Sequence, residues 1–143
     1  MSDLRDYQGK LALVTGAGDG IGEMLARQLA DSGLKVAVQD IRADAAARVA
    51  ADIGERAFPI AFDVSDREAC FQAADALRSR GPLNLLWINA GVGVGSPILT
   101  GKPKTIEWAL GVNLYGVIWT AQAFTPLMAA ATGPTHVGFT AST

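Results

Sequence analysis

Residues 14–23 read VTGAGDGIGE, in which every second residue from Gly16 to Gly22 is glycine. Glycine loses much conformational entropy on folding and gives no side chain to a core, so four glycines in one short stretch need a physical reason. The residues before them, KLALVT at 10–15, are apolar on both faces, as in a strand buried within a parallel sheet. A helical pattern of apolar residues follows, with a predicted inner face of Ile21, Met24, Leu25 and Leu29. The stretch therefore predicts a turn from a buried strand into a helix.

The same alternation of short apolar runs and helical patterns continues along the chain. Further strands are predicted at 35–40, 57–62, 83–89 and 136–142, with helices between them and the longest helix from about 105 to 131. Pro59 lacks a backbone donor, which places the third strand at an edge of the sheet. Ser65 and Glu68 match a capping box at the start of the third helix. The alternation predicts a doubly wound α/β fold with a parallel sheet in the order 3-2-1-4-5.

The composition limits the possible classes of function. The chain has 143 residues, the length of one ordinary domain, and we interpret 1–143 as a single domain. Its net charge of −2 argues against a nucleic-acid binder, which usually carries a basic patch. Cys70 is the only cysteine, so no intrachain disulfide is possible and a reducing, cytoplasmic location is expected.

Neither a secretory signal nor a membrane partner is expected. The residues at 1–10 are polar and charged, which is unlike a secretory signal. The longest apolar region, 106–131, is interrupted by polar residues and by Pro126, so it suits a buried helix better than a membrane span. We also expect no metal site.

The glycine run lies between the first strand and the first helix, where an open parallel sheet binds a nucleotide. A helix N-terminus exposes unpaired N–H groups and the positive end of the helix dipole, and both favour phosphate. Side chains at this point would block the approach of a ligand. A tight turn without a ligand is the alternative, but one glycine would suffice for it. The predicted pyrophosphate-binding residues are Gly16, Gly20, Ile21 and Gly22, and Asp19 beside them is also assigned to the cofactor site.

The spacing of these glycines is TGxxxGxG from Thr15 to Gly22, which is neither GxGxxG nor a phosphate-binding loop with a lysine. The stretch resembles the classical short-chain dehydrogenase/reductase family. INAG at 88–91 is similar to the family's NNAG motif, with Ile88 in place of the first asparagine. Asn113 in VNLYG resembles the asparagine of the family's long helix, and Ser142 in FTAST resembles its catalytic serine. These motifs follow one another in the family's order and at its spacing.

The resemblance implies a Rossmann-type dinucleotide-binding domain with NAD as the cofactor and NADP less favoured. Asp40, at the end of the second strand, would accept hydrogen bonds from the adenosine ribose and repel a 2′-phosphate, and Arg42 could soften that preference. By the resemblance, Ile41 adjoins this site, and Asp63 and Val64 border the adenine. The same resemblance lines the nicotinamide-side ribose with Asn89, Ala90 and Gly91.

The activity implied is hydride transfer between the nicotinamide and a small-molecule secondary alcohol or ketone. Ser142 would orient the substrate, and Asn113 would anchor a proton relay. The family's acid/base tyrosine lies in a YxxxK motif roughly a dozen residues beyond the serine, and Thr143 is the last residue here. We therefore expect this chain to be the N-terminal part of a longer protein and inactive alone. The full-length form is expected to be a homodimer or homotetramer.

Two other functions stay open at this point. The chain could be a non-catalytic dinucleotide-binding or interaction module, although a pure binder would need neither Ser142 nor Asn113. It could also be another doubly wound protein, such as a methyltransferase. The combination of TGxxxGIG and INAG argues against that second alternative.

Overall fold

The computed structural model describes residues 3–95, 97 and 99–141. The strands are β1 (Leu11–Val14), β2 (Lys35–Asp40), β3 (Ala57–Ala61), β4 (Leu83–Ile88) and β5 (His136–Phe139). The α-helices are α1 (Gly20–Asp31), α2 (Ala43–Ile53), α3 (Arg67–Leu77), α4 (Pro103–Leu110) and α5 (Gly116–Met128). Short 3-10 turns occupy Leu4–Tyr7 and Arg78–Arg80, and a π-helical turn occupies Gly111–Tyr115.

The strands form one parallel sheet in the order β3-β2-β1-β4-β5, which confirms the predicted α/β fold and topology. Strand β3 lies at an edge, as its proline predicts. The chain moves outward from β1 to β3, then returns to the other side of β1 to form β4. This reversal leaves a crevice beyond the carboxyl ends of β1 and β4.

Helices cover both faces of the sheet because the strands are apolar on both faces. Alternate residues of β1 point to opposite sides. Ala12 and Val14 pack with α1 and α2, whereas Leu11 and Leu13 pack with α3 and α5. All four side chains are buried, and burial of each larger one contributes about 1.5–3 kcal/mol.

The predicted inner face of α1 is partly wrong. Ile21 and Met24 are 68% and 62% exposed, whereas Leu29 is buried as predicted. The helix turns its small residues toward the sheet, and its buried residues are Gly22, Ala26, Leu29 and Ala30. Small residues let the helix approach the backbone of the preceding loop closely, which larger side chains would prevent.

The predicted cap of α3 is also wrong by one residue. Asp66, rather than Ser65, is the N-cap, and its carboxylate accepts a hydrogen bond from the Ala69 N–H at 3.1 Å. Ser65 is engaged elsewhere, because its N–H and its hydroxyl donate to Asp63 Oδ1 at 2.8 and 2.7 Å. The Ser65 hydroxyl is therefore bound to the Asp63 carboxylate and does not cap the helix.

The predicted long helix is confirmed as an unbroken run of helical turns from Pro103 to Met128, but it contains a π-helical turn that the sequence did not predict. It begins at Pro103, a proline suited to a first turn, and the π-helical turn separates α4 from α5. Leu110, Leu114 and Ile118 lie on its outer side and are between 37% and 49% exposed. In the described part of the chain, no helix combines the length and the apolarity that crossing a membrane requires. The last strand ends at Phe139, and Ser142 lies outside the described residues.

Candidate functional site

A cleft of about 500 Å³ lies at the carboxyl ends of the strands, where the strand order reverses. It is lined by most of the predicted cofactor residues: Gly16, Asp19, Ile21, Asp40, Ile41, Asp63, Val64, Asn89, Ala90 and Gly91. Gly20 and Gly22 flank Ile21 in the first turn of α1. Asn113 lies behind the cleft, hydrogen-bonded to Val92 in its wall. Segments far apart in sequence therefore converge on one place.

Two of the glycines are needed for contacts between the glycine loop and β4. Gly16 has a φ of +63°, and a Cβ there would lie 2.8 Å from the Cα of Ala90. A Cβ on Gly22 would overlap the carbonyl oxygen of Gly16 and lie 2.6 Å from Asn89 Nδ2. Both glycines are thus required by the protein's own packing, whether or not a ligand is bound.

The other two glycines differ from each other. A Cβ on Gly18 would lie 2.5 Å from the Asp40 carboxylate. Gly20, with a φ of +55°, would place a Cβ in open space with no atom within 4 Å. An incoming anion needs open space beside a helix N-terminus. Of the four glycines, only Gly20 therefore fits the prediction that a side chain would obstruct a ligand rather than the protein itself.

The last two residues of β2 satisfy three consecutive N–H groups of the glycine loop. Gly16 N–H donates to Gln39 Oε1 at 3.0 Å, Ala17 N–H to the Gln39 carbonyl at 2.7 Å, and Gly18 N–H to Asp40 Oδ2 at 3.0 Å. These N–H groups already have protein acceptors, which leaves the first turn of α1 as the part of the loop that can bind an anion.

Gln39 was missed at the sequence level. Its side chain is buried, and besides accepting from Gly16 it donates from Nε2 to the Phe62 carbonyl at 2.6 Å. The amide therefore joins the glycine loop to the end of β3. The available signal was a polar residue inside an otherwise apolar buried strand, because a buried amide needs partners.

Asp19 is the N-cap residue of α1, with extended backbone at φ −161° and ψ −178°, but its side chain makes no capping hydrogen bond. The carboxylate instead accepts from Arg42 Nη2 at 2.7 Å. The first backbone hydrogen bond of the helix runs from Glu23 N–H to the Asp19 carbonyl at 3.1 Å. The N–H groups ahead of it have no side-chain cap, so they are available for an anionic ligand.

Asp40 is a buried carboxylate held in its ionised form. Its Oδ1 accepts from the backbone N–H and the Nε of Arg42, at 3.0 and 3.1 Å. Burial by itself would raise the pKa of Asp40, but hydrogen bonds from Arg42 and Gly18 outweigh it and the pKa lies below its usual value. Hydrogen bonds to Asp40 and then Asp19 raise the pKa of Arg42 further above its ordinary value.

Thr15 joins the ends of β1 and β4. Its hydroxyl is fully buried and accepts from the N–H groups of Asn89 and Ala90, at 3.0 and 3.1 Å. The Asn89 side chain returns a hydrogen bond from Nδ2 to the Gly16 carbonyl at 3.2 Å. The two walls of the cleft are thus connected by side chain to backbone bonds.

Asn113 occupies the middle of the π-helical turn, an element often found at functional sites. Its Oδ1 accepts from the Val92 N–H at 2.8 Å, and its Nδ2 donates to the Val92 carbonyl at 2.9 Å. This pair of bonds fixes the loop after β4, which accounts for an otherwise unfavourable asparagine within a helix. Trp108 and Thr140, which also line the cleft, were not predicted.

Comparison with known proteins fits this geometry. The family model for short-chain dehydrogenases matches residues 10–142. This chain belongs to the short-chain dehydrogenase family. It is 36% identical over 140 residues to a C alpha-dehydrogenase of a Sphingobium species, and the match covers 94% of this chain and 46% of that protein.

Two solved structures that are similar to this chain hold a nicotinamide nucleotide. A short-chain dehydrogenase/reductase from Burkholderia phymatum in complex with NAD is 33% identical, with a TM-score of 0.89 over 96% of this chain and 50% of its own. A 3-ketoacyl-(acyl-carrier-protein) reductase from Brucella melitensis complexed with NADH is 35% identical, with a TM-score of 0.80 over 84% of this chain and 50% of its own. The chain thus spans about half the length of the relatives it matches.

Within the described residues, no three His, Cys, Asp or Glu side chains come together as a metal site would require.

Proposed function

We propose that this chain is the cofactor-binding part of an NAD(P)-dependent oxidoreductase of the short-chain type. The complete protein would transfer a hydride between the nicotinamide and a secondary alcohol or ketone. One observation carries the proposal: the uncapped first turn of α1 opens beside the ionised Asp40 in a cleft at the strand reversal. The similar structures from Burkholderia phymatum and Brucella melitensis, which are complexes with NAD and NADH, support it.

The residues of the cleft fit a dinucleotide. The N–H groups of Gly20, Ile21 and Gly22 would hold the pyrophosphate, next to Asp19. Gly16, whose own N–H donates to Gln39, would border the pyrophosphate without binding it. Asp40 and Ile41 would contact the adenosine ribose, and Asp63 and Val64 would border the adenine. The nicotinamide-side ribose would lie along Asn89, Ala90 and Gly91. We further propose that 1–143 folds as one dinucleotide-binding domain.

We expect NAD to be preferred over NADP. The Asp40 carboxylate stays ionised at neutral pH because hydrogen bonds lower its pKa, so it would accept bonds from a ribose diol and repel a 2′-phosphate. Arg42 lies against the same carboxylate and reduces the repulsion without removing it. We therefore expect NADP to bind more weakly than NAD but not to be excluded from the cleft.

When bound, the nicotinamide supplies the carbon that accepts or donates the hydride. Asn113 would anchor the proton relay, and by holding Val92 it keeps the nicotinamide side of the cleft in place. Ser142 would hydrogen-bond the substrate oxygen. Proton transfer needs a group of tuned pKa at that oxygen, and the family's tyrosine and lysine would supply it from the remainder of the protein. We also propose that the cytoplasmic full-length protein is a homodimer or homotetramer.

The proposal is tested by titrating NADH and NADPH into the protein expressed from its complete reading frame, with calorimetric detection. We expect NADH to bind at least tenfold more tightly, which corresponds to about 1.4 kcal/mol. Asp40→Asn, which keeps an acceptor but removes the charge, should reduce that ratio severalfold. Asp75→Asn is the matched control, because Asp75 lies exposed near the end of α3.

Three outcomes separate the alternatives. Failure of both nucleotides to bind would contradict the proposal. Binding of NADH, together with neither ketone reduction by NADH nor secondary-alcohol oxidation by NAD, would favour a non-catalytic dinucleotide-binding module. An unchanged nucleotide ratio in Asp40→Asn would show that the carboxylate does not set the cofactor preference.

A further inference from the structure

Two of the α-helices start with an aspartate at the N-cap, and the two carboxylates behave differently. Asp66 caps α3 in the ordinary way, by accepting from the N–H three residues on. Asp19 has the extended backbone of an N-cap residue and yet makes no cap. Its carboxylate bonds Arg42 Nη2 at 2.7 Å instead. Two features separate the sites. Asp66 has no ion-pair partner among the described residues, and Asp19 is followed by Gly20 with a φ of +55°, whereas Asp66 is followed by a residue with negative φ.

Arg42 is itself held in place from the other side. Its Nε contacts Asp40 Oδ1 at 3.1 Å, and its backbone N–H donates to the same oxygen. Asp40 thus orients Arg42, and Arg42 draws the Asp19 carboxylate away from the helix. The other nearby arginine, Arg48, is engaged with Glu23 and the Gly18 carbonyl.

We propose that Arg42 is a positioning residue that keeps the Asp19 carboxylate off the N-terminus of α1, and so keeps that N-terminus open for a pyrophosphate group. This inference rests on the proposed function. Without Arg42, the Asp19 carboxylate is free to turn toward the N–H groups of the first turn of α1. The carboxylate would then take an N–H group that the pyrophosphate needs and would place a negative charge beside it.

The arrangement explains how an acidic residue is tolerated in an anion-binding loop. Both Asp19 and the pyrophosphate are anions, and the helix N-terminus stabilises either of them. The two therefore compete for one set of N–H groups, and the Arg42 ion pair decides the competition in favour of the ligand. Arg42 acts on binding through Asp19, not through contact with the cofactor.

A double-mutant cycle tests this in the complete protein, with the dissociation constant of NADH as the readout. We expect Arg42→Ala to weaken binding about tenfold, the size of a capping bond plus one charge at a helix end. Asp19→Ala alone should change binding less than threefold. In the double variant the loss should disappear, because no carboxylate remains to compete.

A second variant and a control keep the test decisive. Arg42→Lys retains the positive charge and should keep most of the affinity, and thermal unfolding of each variant checks that it is folded. The Arg78–Asp75 pair, exposed on α3 with an N–O distance of 3.1 Å, provides the control, and removing Arg78 should leave NADH binding unchanged.

The outcomes distinguish this inference from the proposed function. If the wild-type protein binds neither NADH nor NADPH, the proposed function is wrong and the inference fails with it. If the wild-type protein binds NADH and Arg42→Ala binds equally well, only the inference fails. A loss that persists in the double variant would mean that Arg42 contacts the nucleotide directly, which also overturns the inference.

Discussion

Replacing Thr15 by valine removes the hydroxyl that joins the carboxyl ends of β1 and β4 while nearly keeping the side chain's shape. Thr15 is fully buried, and its oxygen is the acceptor for two backbone N–H groups at 3.0 and 3.1 Å. No cavity forms, so the loss of stability comes from the two donors left without an acceptor.

The expected loss of stability follows from the two N–H donors that lose their acceptor. A buried donor without a partner costs about 1–3 kcal/mol. Asn89 and Ala90 are only half-buried, so water can reach their N–H groups in part and the lower half of the range applies to each. We expect Thr15→Val to reduce the free energy of unfolding by about 2–4 kcal/mol.

The measurement is urea unfolding of the complete protein, followed by tryptophan fluorescence. With a slope of about 2 kcal/mol per molar urea, the midpoint should fall by roughly 1–2 M at constant slope. Thr15→Ser is the matched control, because it keeps the acceptor and loses one buried methyl group worth about 1 kcal/mol. The reasoning is refuted if valine destabilises the protein no more than serine does.

Three further predictions concern other parts of the fold. Gly16→Ala should destabilise the protein by about 2–5 kcal/mol, and the control Gly9→Ala by about 1–2 kcal/mol. Both glycines have positive φ, but only a Cβ at Gly16 would meet the backbone of Ala90. Equal losses in urea unfolding would contradict this clash. Burial raises the pKa of Cys70 to about 11, so a thiol reagent at pH 8 should label it only after unfolding, and fast labelling of the folded protein would count against this. Folding lowers the pKa of Asp40, so the ionised carboxylate contributes its full stability above about pH 4, and this contribution is lost as the pH falls through the folded pKa. In Asp40→Asn, the free energy of unfolding should therefore fall less steeply with decreasing pH in this range.

The buried strands and the edge strand could be predicted because their signals are local, and the strand order followed from their alternation with helices in a doubly wound fold. A buried parallel strand is apolar on both faces, and Pro59 can occupy only an edge strand or a bulge. The face of α1 could not be predicted in the same way. Its apolar residues surround the helix, and the small ones face inward because the glycine loop passes so close to Gly22. Periodicity does not encode that distance.

The site residues that belong to a sequence motif could be predicted, whereas those whose role depends on tertiary contacts could not. Asp40 and the glycine loop have sequence patterns, and both line the cleft. Gln39 differs from its strand neighbours only in being polar, and its partners are apparent only in the structure, where the end of β3 and the glycine loop meet around its amide. The π-helical turn around Asn113 likewise depends on Val92, a residue of a distant loop. In both cases the hydrogen-bond partners lie in other elements, so the sequence of one element cannot identify them.

The reversal of strand order also affects the sequence in which parts of the sheet fold. Strands β1, β2 and β3 are neighbours both along the chain and in the sheet, so each pairing closes only one crossover. The bond from Asn89 N–H to Thr15 instead joins residues 74 positions apart. Closing that longer loop costs more entropy, and non-local pairings slow folding. We therefore expect the half of the sheet bearing Asp40 to assemble early and the cleft itself to be completed only when β4 docks, so that nucleotide affinity arises at the end of folding.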